Sequence, residues 1–345
     1  MSKWYDKSGM NDDVVIASRV RLARNTTEYP FSAKISEKDG RELIDNAISH
    51  MKDSEYAEIM NYIKMNEIKD TKKNSLLESH MINRYMAGRS DGAAVVSNDE
   101  SISVMLNCED HIRIQTMISG MAMDTCHKAA DILDDYMENR FSYAYSEKYG
   151  YHTTFPTNIG TGMRASYILH LPALANTNKL QLLMNELGRF GVKMRPCYGD
   201  GVNGMGDIYR ISNQRTLGQS EKDIIRNLDN VTMQLVEHER EQRMEFVEKN
   251  RIMAEDEAYK SYGVLKYSRT LSLKNAMMLL SEIRMGLSCG TIKFGNNSDF
   301  SVYGTMLAIQ PRTIQYNAGG EKSMSVEAVD VERAKIIRNA LPEIE

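Results

Sequence analysis

Cysteine is scarce: Cys108, Cys126, Cys197 and Cys289 are all that 345 residues contain, far apart and with no C-x-x-C pair. That excludes a disulfide framework and a zinc site built on paired thiols, and it fits a reducing compartment. Long hydrophobic runs are lacking as well. The longest, Ala276-Met277-Met278-Leu279-Leu280, falls far short of the ~20 apolar residues of a membrane span. The start, Met1 to Asp13, is polar and has no apolar signal core. Nor is there a basic excess: 43 Lys and Arg stand against 47 Asp and Glu, a net charge of -4. Such a balance supplies no general field for nucleic acid or an anionic membrane, so any bound anion must be held by a local cluster of cations. No period of 20 to 50 residues repeats and no low-complexity tract occurs, which excludes solenoids and long disordered tails. These absences leave a cytoplasmic, reduced, metal-ligand-poor protein. With 42% apolar and 26% charged residues, its length suggests about two domains at roughly 150 residues each.

The common phosphate-binding loops are also missing. There is no G-x-x-x-x-G-K-[ST] run and no H-R-D or D-F-G set. Gly199-Asp200-Gly201-Val202-Asn203-Gly204 fits G-x-G-x-x-G, but a strand-like segment follows it where a dinucleotide site needs a helix N-terminus. What remains is a glycine-rich loop between strands that carries Asp200.

What is present has a readable order. Ser36 to Lys52 has a capping Ser and apolar residues at helical spacing. Ala93 to Ser97 and Ile102 to Asn107 read as strands split by a polar turn. His111 to Ile118 alternates, with Ile112, Ile114 and Thr116 on one face and Arg113, Gln115 and Met117 on the other. Asp124 to Tyr145 and Lys179 to Phe190 read as helices, the latter stopped by Gly191. Val192 to Tyr198 and Asp207 to Gln214 read as strands. From Ser220 a helical stripe of Ile224, Leu228, Val231 and Leu235 begins. Beyond it the dense mixed charge from Glu237 to Glu245 predicts a solvated helix face. Ser272 to Leu287 and Val331 to Leu341 add further helices. The expected class is α+β, with a catalytic unit over 12–242 and a helical unit over 243–345.

Arginines stand out. In Ser18-Arg19-Val20-Arg21-Leu22-Ala23-Arg24 an extended chain places Arg19 and Arg21 on one side. Arg113 lies on a strand beside acids, Arg164 follows a glycine-rich turn, and Arg195 precedes the Gly199 loop. If these converge, they can hold a triphosphate through bidentate contacts; if not, they are ordinary surface residues. Cys108-Glu109-Asp110-His111 is either a plain turn or a carboxylate presented to a cleft as a general base. His80 taken alone reads as a structural histidine.

Five blocks in order resemble the guanidino (phosphagen) kinases, and within them the bacterial protein-arginine kinase branch. They are Ser18 to Asn25, Asn107 to Gln115, Pro156 to Ser166, His170 to Leu174 and Ile211 to Gln214. Ser261 to Leu265 is a shorter match to that branch's C-terminal half. The resemblance implies an antiparallel sheet flanked by helices that binds ATP with Mg2+, followed by a helical dimerisation domain. It further implies protein substrates with exposed arginines, an activator protein and a Clp-type protease system, in a homodimer. Only 17 residues precede Ser18, too few for the helical domain that leads the small-molecule phosphagen kinases, and that favours the protein-directed branch.

Carried over by motif, Ser18, Arg19, Val20, Arg21, Leu22, His80, Arg113, Arg164, Ala165, Ser166, Tyr167 and Ile168 match nucleotide-contacting segments. So do Arg195, Pro196, Cys197, Tyr198, Gly199 and Asp200. Glu109 matches the carboxylate that engages the guanidinium, and Asp200 the second. Asp330 and Arg333 resemble a phosphoarginine-binding motif of allosteric type, with Val329 in place of its leading arginine. Cys108 stands where the family carries an acid, and Phe155 where it carries cysteine. No protein carboxylate cage for the metal is expected. The alternatives are a kinase of free arginine or another small guanidine, and a phosphoarginine-binding adaptor without catalysis.

Overall fold

The structure is a computed structural model that describes residues 2–177, 180–199, 204–295, 300–319 and 324–345. Its centre is an antiparallel sheet of eight strands: β1 (Val15–Arg24), β2 (Met60–Lys64), β3 (Ala93–Ser97), β4 (Ile102–Leu106), β5 (Ile112–Ser119), β6 (Met163–His170), β7 (Val192–Pro196) and β8 (Ile208–Asn213). The spatial order is β2-β3-β4-β5-β1-β6-β8-β7, which puts the first strand in the middle. The expected α+β class is what forms. Among the described residues, no helix is long and apolar enough to cross a membrane.

The two faces of the sheet are covered differently. On one, Val20, Leu22, Ile112, Ile114, Ala165, Tyr167, Tyr209 and Ile211 are buried beneath α1 (Glu37–Lys52), α3 (Met123–Glu138) and α4 (Glu221–Lys249). Each of the Val, Leu and Ile side chains among them contributes roughly 1.5–3 kcal/mol when removed from water. On the other face Met105, Met117, Ile168 and Ile208 pack with Met277, Leu280, Tyr303 and Met306 from the C-terminal helices. Those helices are α5 (Arg251–Tyr267), α6 (Leu273–Cys289), α7 (Val302–Ala308), α8 (Pro311–Asn317) and α9 (Val326–Ala340), while α2 (Asp70–Glu78) packs on α8. From the apolar run at 276–280, Ala276, Met277 and Leu280 lie on the buried side of α6, while Met278 is exposed.

Local signals act as expected at several ends. The hydroxyls of Ser36 and Ser220 accept from the N–H of Asp39 and Asp223 and cap α1 and α4. Gly191 takes φ 70°, the left-handed geometry that ends its helix. Three expectations are corrected. The helix read as Asp124 to Tyr145 ends at Glu138, because Phe141 and Tyr143 turn back into the core and Ala144 N–H bonds the carbonyl of Asn25. The last helix begins at Val326, five residues earlier than read, where Ser325 caps it.

The third correction is that the charged stretch of α4 is not wholly solvated. Glu239 and Arg243 are buried (0% and 3% exposed) and paired at 2.7 Å. Glu239 also accepts from the N–H of Ala173 and Leu174 at 3.0 and 2.9 Å, capping the short helix Pro172–Asn176. Arg243 donates to the carbonyls of His170 and Asp13 and to the hydroxyl of Ser288. Both charges are tolerated inside because nearly every polar atom finds a partner there.

Candidate active site

The antiparallel register settles which arginines converge. Arg21 on β1 is opposite Arg164 on β6 and Gln115 on β5, and Arg19 is opposite Ser166. Arg113 is opposite Ala23, and Arg210 on β8 is opposite both Ile168 and Arg195. Opposed residues of a ladder share a face. Arg19, Arg21, Arg113, Arg164 and Arg195 therefore stand on one face, joined by Arg210, which the sequence reading missed. Arg210 sits mid-strand in Ile208–Asn213, and its alternation was the only signal that could have found it.

This face holds mutually repelling cations. Burial lowers the pKa of Arg19 to about 9, helped by Arg210 and Arg113. Burial, then Arg19, Arg113, Arg210 and Arg164, holds Arg21 well below the usual guanidinium range. Arg164 is lowered by burial and by Arg210 and Arg195. Gln115 steadies Arg19 by accepting from its Nε at 2.9 Å, and its own amide donates to the carbonyl of His80 at 2.8 Å. Among the described residues the buried Nε of Arg21 has no partner. An orphaned donor inside a cationic cluster that has one carboxylate, Glu109, set against it fits an anionic ligand such as a triphosphate.

His80 closes one side with φ 65°, its Nε2 3.2 Å from the Tyr198 hydroxyl. That hydroxyl is 3.5 Å from Tyr303 of α7, so a C-terminal helix backs the site. Burial, then Arg19, Arg210 and Arg21, pushes the His80 pKa down to about 3, and the ring is neutral at pH 7. Cys197 is also kept as a thiol, raised to about 11 by burial.

Several residues of the nucleotide segments point elsewhere. Val20, Leu22, Ala165 and Tyr167 lie in the core on the opposite face. Ser18 donates to the carbonyl of Gly120 and accepts from Ala122 N–H there. Arg24 pairs with the buried Asp134 at 2.6 Å. On the arginine side are Ser166, Ile168 and, just past β7, Cys197 and Tyr198, whereas Pro196 is opposite Tyr209 and lies on the other face. Asp200 lies outside the described residues.

Glu109 is 7% exposed in the turn between β4 and β5, and its carboxylate is paired with Arg113. Its two neighbours anchor the turn. Asp110 accepts from Asn25 Nδ2 at 2.8 Å and Thr154 N–H at 2.7 Å. His111 accepts at Nδ1 from Thr26 N–H, which leaves the proton on Nε2 to donate to the carbonyl of Pro30. Burial holds His111 below its ordinary pKa and hence neutral. Phe155, 47% exposed, follows Thr154, whose hydroxyl bonds the carbonyl of Glu109.

Among the described residues, the cluster of three potential metal ligands is His127, Asp131 and Glu221, on α3 and α4 under the opposite face.

Asp330 and Arg333 lie in α9, far along the chain from these strands. Arg333 is buried (2% exposed), pairs with Asp330, and donates to the carbonyls of Leu271 and Ile309 at 2.8 and 3.0 Å. It is not the exposed surface pair that spacing alone allows. The guanidinium ties α9 to the start of α6 and the end of α7.

A cationic sheet face with a carboxylate at its rim is what comparison with known proteins bears on. The family model "ATP:guanido phosphotransferase, C-terminal catalytic domain" matches residues 41–242. The chain belongs to the ATP:guanido phosphotransferase family. A second model, "Protein-arginine kinase McsB C-terminal domain", matches residues 251–345 of this guanido phosphotransferase. The protein-arginine kinase of Bacillus pumilus (strain SAFR-032) is 39% identical over 99% of this chain and 93% of its own length. That of Halalkalibacterium halodurans is 37% identical over 99% and 95%. A solved taurocyamine kinase of Schistosoma mansoni, with bound transition-state-analogue components, superposes with TM-score 0.59 at 23% identity, covering 66% of this chain and 33% of that one. At that identity the likeness speaks to the fold.

Proposed function

We propose that this guanido phosphotransferase is an ATP-dependent protein-arginine kinase, moving the γ-phosphoryl group onto arginine side chains of other proteins. The observation that carries the reading is the meeting of six arginines on one sheet face with Glu109 in the adjoining turn. Near full-length similarity to protein-arginine kinases supports protein arginine as the acceptor.

The chemistry follows from charge. A guanidinium has a pKa of about 12 or more and is a poor nucleophile while protonated. Glu109 orients its planar fork and accepts a proton as the N–P bond forms and the bond from the γ-phosphorus to the bridging oxygen breaks to release ADP, with Asp200 as the second carboxylate. Arg19, Arg21, Arg113, Arg164, Arg195 and Arg210 neutralise the phosphate oxygens, where charge develops in transfer. Magnesium would add charge neutralisation between the phosphates, held by them and by water. The acceptor turn leads directly into β5, one of the strands of the arginine face, so the acceptor side adjoins the nucleotide side.

The rest of the reading concerns context. Exposed Ile252, Tyr259 and Tyr267 on α5 suit a homodimer through the C-terminal helices. Cytoplasmic action on proteins destined for an associated protease, with an activator, follows the family. Asp330 and Arg333 form the phosphoarginine-responsive element, in which Asp330, the more exposed partner, meets the ligand.

The deciding experiment incubates the enzyme with Mg·ATP and either free arginine or an arginine-rich protein, then searches for acid-labile phosphoarginine by mass spectrometry. Protein phosphoarginine that vanishes in Glu109→Gln is expected. Preferential turnover of the free amino acid would place the enzyme among small-guanidine kinases.

A further inference from the structure

The Glu109 carboxylate is held from behind by groups that do not belong to the sheet. Asn83 ends the segment after α2, and its Nδ2 lies 2.9 Å from both carboxylate oxygens of Glu109. Which end of the amide faces Glu109 is not arbitrary. Asn83 caps the short helical turn Arg84–Ala87, its Oδ1 accepting from Met86 N–H at 2.8 Å. A backbone N–H can only donate, so Oδ1 must face it and Nδ2 must face the carboxylate. The Cys108 thiol, fully buried, contacts the same carboxylate and lies 3.5 Å from Asn83 Oδ1. Burial raises its pKa to about 11, so the sulfur keeps its proton and serves as a donor.

We propose that Asn83 is a positioning residue for Glu109, fixing its carboxylate with an amide locked by the Met86 N–H, and that the Cys108 thiol supplies a second donor. Donors to a carboxylate favour its ionised form. They also remove rotamer freedom from a base that must meet a planar guanidinium in one orientation. The charged groups facing Glu109 are Arg113 on β5 and, beyond the Cys108 carbonyl, Arg89, itself paired with Asp91. Asp110 and the neutral Cys108 thiol flank it in the turn. Arg113 supplies charge, and Asn83 supplies orientation. The inference rests on Glu109 being the acceptor-side base.

The test compares wild type with Asn83→Ser, Asn83→Asp, Cys108→Ala and Glu109→Gln. It measures kcat, KM for ATP and the pH profile of kcat/KM toward an arginine-bearing protein, together with thermal midpoints. Serine keeps an oxygen for the Met86 N–H but loses the amide donor. Asn83→Ser should therefore lose about tenfold in kcat or more and move the acid limb upward by about one pH unit, with KM for ATP and the midpoint near wild type. Asn83→Asp, almost the same shape, turns the donor into a second carboxylate oxygen and should move the limb further up. Cys108→Ala should shift it the same way by less. An unmoved acid limb and wild-type kcat in both Asn83 variants, with Glu109→Gln inactive, would overturn the positioning role alone. Wild-type turnover in Glu109→Gln would overturn the reading beneath it.

Discussion

Arg21 and Arg164 are register partners on the neighbouring strands β1 and β6, two guanidiniums directly opposite each other on one sheet face. Like charges so placed destabilise a ladder by roughly 0.2–1 kcal/mol. An anion between them reverses the sign. Arg21→Met should accordingly raise the melting midpoint of the ligand-free protein slightly and sharply reduce its rise with Mg·ATP. In wild type, nucleotide at a hundred times its Kd should add about 2.7 kcal/mol. A variant with a lower midpoint and an intact ATP response would count against an anion site here.

Arg210 should prove as necessary as the arginines the motifs mark. It lowers the pKa of Arg19, Arg21 and Arg164, which shows that it shares their field. Arg210→Met is expected to cost on the order of a hundredfold in kcat. Arg210→Lys should recover only part of it, because a point charge cannot replace a planar fork. Steady-state kinetics with varied ATP decides this, and a variant within twofold of wild type would remove Arg210 from the site.

His80 gives the protein an acid-sensitive region. Its folded pKa of about 3 lies below the usual value near 6.5, so between those values the unfolded chain binds the extra proton. Stability therefore falls as pH drops from about 6.5, with a slope of up to about 1.4 kcal/mol per unit from this one group. His111 and His170, also lowered by burial, add in the same direction. Urea unfolding at pH 7, 6 and 5 should show the loss, and His80→Gln should flatten part of it. Equal slopes in both proteins would contradict the assignment.

The buried Glu239–Arg243 pair should be costly to break and cheap to replace. Glu239→Ala leaves Arg243 uncompensated and uncaps Pro172–Asn176, for an expected loss of about 3–5 kcal/mol. The double variant Glu239→Leu with Arg243→Met should lose less than either single change. Denaturant melts of the three proteins measure it, and additive losses would mean that the two residues act separately.

What the sequence determined by itself was local. Ser36 and Ser220 cap helices through bonds that span three residues, Gly191 ends one through its own φ, and the alternation of Ile112 to Met117 assigns each side chain a face. The motif blocks, including Asn107 to Gln115, carried the family and drew attention to Glu109. Tertiary structure decided everything that depends on which strand lies beside which. Arg21 meets Arg164 across 143 positions of chain, and no local pattern carries that register. Arg210 looked like any polar residue of an alternating strand until β8 paired with β6 and β7. Glu239 and Arg243 read as solvated because charge density is a local property, whereas burial depends on α4 meeting α6 and the end of β6. Asn83 carried no mark at all. Its role exists because a cap formed in one segment turns an amide toward a carboxylate 26 residues on, a direction that only the folded chain defines.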